Sequence, residues 1–195
     1  MRRLAVSFSA TAVVVASLAP VQAVSASPIA PPAPTSLRSA EAPTSAFPPS
    51  SRTVVPRASA QGRKGQSLTV TPTSRLSSFG QSITVSGRGF SELIGIYVGL
   101  CVMPRPGAKP TPCGGGVDQD GSSQASAWIS SNPPPYGSSL AIPYKRGGKF
   151  GVRIKVSPRV GAYDCRVVRC AVVARADHTR ANDRTWDVAV PVTFR

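Results

Sequence analysis

The sequence predicts an all-β fold: a seven-stranded antiparallel sandwich with two local disulfides, preceded by a disordered Pro-rich segment. Three observations lead there. Short runs of alternating apolar and polar residues recur from Gln66 to the C-terminus, separated by Gly and Pro. No window in that stretch carries a helical period. Four cysteines fall inside it, placed so that neighbouring pairs close short loops.

The elements follow in order. Met1-Arg2-Arg3 is a cationic start, Leu4–Ala19 is largely apolar, and small-x-small patterns end at Ala23 and Ala26, so residues 1–26 read as a cleaved signal peptide. Residues 27–65 are rich in Pro, Ala and Ser and poor in large apolar side chains. Such a stretch cannot offset its ordering entropy, and it reads as a disordered linker. The domain is then expected over 66–195. Its strands are expected at Ser67–Thr71, Ser82–Ser86, Ile94–Cys101, Ala125–Ser130, Phe150–Val156, Ala171–Ala174 and Val188–Phe194. Phe150, Val152, Ile154 and Val156 alternate with Gly151, Arg153 and Lys155, the pattern of a strand buried on one face. Pro191 cannot donate to a ladder, which makes the last strand an edge. Outside the leader no apolar run reaches the ~18 residues of a membrane-spanning helix.

An even number of cysteines in an exported chain implies disulfides. Of three possible connectivities, Cys101–Cys113 with Cys165–Cys170 lets each pair enclose its own short loop. Zinc is a poor alternative, because the chain has one histidine and no two-residue cysteine gap. No cofactor is expected.

The segments LTVTPTSRLSSFGQSITVSGRGF, GIYVGLCVMP and DCRVVRC, with the terminal valine strand, resemble the neocarzinostatin family. Those are actinobacterial secreted apoproteins that carry an enediyne chromophore in a cleft of an immunoglobulin-like sandwich. The resemblance covers about 67–113 and 150–194. It implies the same fold, the same two local disulfides, a monomer and a small-molecule carrier. It also places the cleft beside the first disulfide, around Met103, Val173, Asp177 and His178. Two features depart from the family. Met103 stands where the family has a cleft aromatic, and the long ribbon before the third cysteine is missing. An insert at about 114–148, containing SAWISSNPPPYGSSLAIPYKRGG, is added. The insert and CAVVARADHTRANDRTWD resemble uncharacterised secreted actinobacterial proteins, some of which occur beside haem-transport-associated domains.

Several residues have chemistry to offer. Trp128 and Tyr136 bring rigid aromatics to a proline-rich insert and can stack a flat ligand; the competing reading is that Trp128 plugs the sandwich. Asp177-His178 belongs to a polar loop in which Asp183 or Asp187 pairs with Arg180 or Arg184. As a catalytic pair it would need a nucleophile, and no serine elbow is present, so an enzyme is not expected. The chain has 23 Lys+Arg against 8 Asp+Glu, a formal charge of +15, which favours anionic partners. No sequence-specific nucleic-acid motif accompanies that charge. The expected function is therefore a secreted, non-catalytic binding module for a flat aromatic small molecule or haem. The second expectation is a cell-surface accessory to haem uptake, or an adhesin for anionic cell-wall polymer.

Overall fold

A computed structural model describes residues 54–115 and 122–195, all within one unit, Ser50–Arg195. The signal-peptide reading and most of the linker reading lie outside those residues.

Two four-stranded antiparallel sheets make the sandwich. The first orders β1 (Ala58–Gln61), β2 (Ser67–Thr71), β3 (Gln81–Arg88) and β6 (Phe150–Val156). The second orders β10 (Val188–Val192), β9 (Cys170–Ala176), β4 (Ile96–Val102) and β5 (Ser126–Ile129). A small hairpin, β7 (Arg159–Val160) and β8 (Tyr163–Asp164), precedes the second disulfide. All seven expected strands form. Pro191 lies on an edge, because β10 pairs only with β9, where Pro191 stands opposite Ala171.

The period-2 pattern determines what each sheet buries. Leu68, Val70, Ile83, Val85, Val152 and Ile154 point inward from the first sheet. Ile96, Val98, Leu100, Val172, Val188 and Val190 meet them from the second. Phe90, Tyr144 and Phe150 close one part of this core, with ring centroids 5.5 and 6.3 Å from Phe150. Gly87 is required there, since a Cβ at that position would stand 2.1 Å from the Phe150 ring.

One boundary needs correction. The linker was expected to reach residue 65 and the domain to start at 66, yet Ala58–Gln61 forms β1 and pairs with β2 in register Ser59–Thr69 and Gln61–Ser67. Its side chains are small, so it lacks the apolar alternation of a strand. Ala58 and Ala60 nevertheless pack on the core, and the backbone ladder supplies the rest. Both disulfides form as expected, Cys101–Cys113 and Cys165–Cys170.

Candidate ligand-binding site

The outward face of the second sheet carries the site. With Ile96, Val98 and Leu100 in the core, alternation turns Tyr97, Gly99 and Cys101 of β4 outward. The ladder sets Tyr97 opposite Arg175 of β9 and Trp128 of β5, and Gly99 opposite Val173 and Ser126. Over this face lies a cavity of about 1100 Å³. Val173, Gly99 and the Cys101–Cys113 bridge line its floor, and Tyr97, Trp128, Tyr136 and His178 form an aromatic wall. Arg175, Lys109 and Arg153 add cations.

Asp177 follows β9 and caps a short 3-10 turn, His178–Arg180. One carboxylate oxygen accepts from the Thr179 amide at 2.9 Å and the Thr179 hydroxyl at 2.6 Å. The other accepts from the Trp128 indole N–H at 2.9 Å. The residue is 2% exposed, so this carboxylate orients the indole from inside the fold. Gly95 makes room for it, as a Cβ there would lie 1.9 Å from Asp177 Oδ2.

His178 sits between two phenols. The Tyr97 hydroxyl meets Nδ1 at 2.5 Å and the Tyr136 hydroxyl meets Nε2 at 2.6 Å. Its ring stacks on Tyr97 and meets the Trp128 rings at 5.2 Å, edge-on. Asp177 and His178 are adjacent in sequence but face different partners, so they form no acid–base dyad. Burial, with the Asp177 charge and Tyr136 adding to it, pushes the Tyr97 phenol up to about 12. Tyr97 therefore stays protonated at neutral pH.

The described part of the insert, residues 122–148, contributes a wall to the cavity. Its return segment binds along β5, with Ile142 N donating to Trp128 O and Ser130 N donating to Ile142 O. Pro135 opens a second 3-10 turn, Pro135–Gly137. Gly137 lies against the indole, where a Cβ would come within 2.2 Å of Trp128. Tyr136, Leu140 and Ile142 face the cavity as a result.

Five of the six residues expected at a ligand site, Trp128, Tyr136, Val173, Asp177 and His178, line this one cavity. Met103 does not: β4 ends at Val102, and Met103 packs against the small cluster of Cys101, Ala171 and Val173. Arg175 was missed as a site residue. Its position two residues beyond Val173 on one strand was the available signal, since both must share a face. Its guanidinium lies 5.9 Å from the Tyr97 ring centroid. Burial lowers its pKa, and no ion pair to it forms among the described residues, whose two salt bridges are Arg166–Asp164 and Arg184–Asp187.

Fold and cavity together define an immunoglobulin-like β-sandwich with a pocket on the outer face of one sheet. Among solved structures, a chain titled macromomycin matches at 25% identity, covering 67% of this chain and 99% of that chain, with a TM-score of 0.43. No protein-family model and no curated protein matches.

Proposed function

We propose that the protein is an exported, non-catalytic binding module that carries or sequesters a flat aromatic molecule bearing an anionic group. The observation that carries this reading is Arg175: a half-buried guanidinium with no carboxylate within ion-pair distance among the described residues, attracted by the more distant Asp187 charge, and set between an apolar floor and an aromatic wall. Holding a desolvated cation in that place costs free energy that an incoming anion recovers. The ligand ring lies against Trp128 and Tyr97, over Val173 and the first disulfide, and its anionic group reaches Arg175. The two disulfides accord with an oxidising, extracytoplasmic setting. Haem meets the description through its ring face and propionates. Axial ligation by His178 would first require breaking one of the tyrosine hydrogen bonds, because both ring nitrogens are engaged.

The test begins with native mass spectrometry of protein from culture supernatant, which should show a retained small molecule. Planar aromatic carboxylates, their neutral amides and haem are then titrated. Arg175→Met should weaken carboxylate binding about tenfold, the size of a lost charge-assisted contact, and leave the amides unchanged. Tyr136→Ala and His178→Ala should weaken both classes. Binding of none of these probes by the wild type, or equal binding by all variants, refutes the assignment.

A further inference from the structure

The opposite side of the sandwich has a different chemistry. On the first sheet, Leu68, Val70, Ile83 and Val85 point into the core, so their neighbours in sequence point out. Ladder register arranges those neighbours in rows. One row runs Ser59, Thr69, Ser86 across β1, β2 and β3. On one side of it Gln61, Ser67 and Arg88 align, and on the other Thr71, Thr84 and Arg153, the last on edge strand β6 and also lining the cavity. A shallow depression of about 420 Å³ opens over the first of these rows, with Arg57 and Arg88 both on its wall. Arg88 Nε donates to the Ser67 hydroxyl at 3.0 Å, which holds the guanidinium against the sheet. Ser59 and Thr69 share a 2.7 Å hydroxyl–hydroxyl bond. Hydroxyls therefore recur at ~4.8 Å between strands and ~7 Å along them.

None of the eight acidic residues lies in β1, β2, β3 or β6. The outward positions of these strands also carry no aromatic side chain. A nucleic acid bound without sequence preference gains much of its affinity by stacking bases on aromatics, and this face offers no such platform. What the depression offers is two guanidiniums, Arg57 and Arg88, across a bed of hydroxyl donors, the chemistry that binds phosphate oxygens.

We infer that the hydroxyl-lined depression between Arg57 and Arg88 is a second binding site, for a linear phosphate polyanion without bases, such as a polyol-phosphate wall polymer. The inference is independent of the ligand proposed for the cavity, and neither test variant touches that cavity.

The experiment titrates the full chain with a glycerol-phosphate polymer, inorganic polyphosphate and single-stranded DNA at several salt concentrations. The glycerol-phosphate polymer should bind, more weakly as salt rises. Arg57→Ala with Arg88→Ala should cost about tenfold or more in affinity and reduce the slope of log K against log salt by about 1.4, or ~0.7 per lost phosphate contact. Thr69→Val with Ser86→Ala, which changes no charge, should cost a few-fold at unchanged slope. The control Arg105→Ala with Arg146→Ala removes two charges elsewhere and should leave most of the affinity. Equal losses in the control and the arginine pair would reduce the effect to net charge and overturn the site. Normal binding by the hydroxyl variant, or tighter binding of DNA than of the glycerol-phosphate polymer, would overturn it too. Polyphosphate binding with the same losses but no glycerol-phosphate binding would overturn the polyol-phosphate assignment.

Discussion

A buried and a half-buried carboxylate show how position decides the behaviour of a residue. Asp177 has every oxygen engaged by donors, whereas Asp187 has Arg184 at 3.0 Å on one oxygen and an unpartnered second oxygen. For Asp187 burial outweighs the nearby guanidiniums of Arg184 and Arg175, and its pKa rises to about 6. An unfolded Asp titrates near ~3.9, so between about pH 4 and 6 the folded state holds more protons than the unfolded one. Stability must then fall as pH rises through that window. Asp164, held down to about 2 by hydrogen bonds and charge from Arg166, acts with the opposite sign and only below that window. Unfolding free energies from urea titrations at pH 4 to 7 should decline for the wild type by on the order of 1–2 kcal/mol and stay flatter in Asp187→Asn; a wild-type rise over the window would contradict the assignment. For Asp177 the sensitive neighbour is Gly95. Gly95→Ala must displace the carboxylate or the strand, and should destabilise the fold by about 2–3 kcal/mol with a change in tryptophan emission. An unchanged unfolding curve would show that the site yields freely.

Among the elements, legibility followed side-chain size. Phe150–Val156 announces itself because large apolar residues alternate with Arg and Lys. The segment Ala58–Gln61 does not, because its pairing is written in the backbone and its inward residues are alanines. Limited proteolysis tests the difference: the resistant core should begin between Val54 and Ala58, and cutting at Lys64 should be slow. A core starting at Gln66 would restore the linker boundary read from sequence. The cavity was half legible in the same sense. Trp128, Tyr136 and His178 stand out as rare residues in the sequence. Tyr97 and Arg175 become site residues only through the register that aligns β5, β4 and β9. Met103 was misplaced because a position carried over by resemblance does not record where this strand ends.

At the scale of the whole molecule, the first disulfide joins fold and cavity. It ties β4 to the segment that reaches the floor, closing a 12-residue separation. Replacing Cys101 and Cys113 together by Ala should cost about 3 kcal/mol in the chain-entropy model and weaken ligand binding, while the core between the sheets keeps the domain folded at low temperature. Thermal unfolding with and without ligand measures both effects, and loss of all near-ultraviolet structure in the double variant would show the bridge to be essential to folding. The Tyr97–His178–Tyr136 bridge runs along the wall of the same cavity and has a directional consequence. A neutral imidazole gives one hydrogen and takes one, so the two phenols cannot both donate to it. One points its O–H at the ring while the other receives the ring N–H, and the three groups form an oriented chain. Exchanging the tautomer reverses every bond in that chain and moves no heavy atom. The wall of the cavity thus has a dipole with two opposite settings, and a polar group arriving beside either tyrosine selects between them.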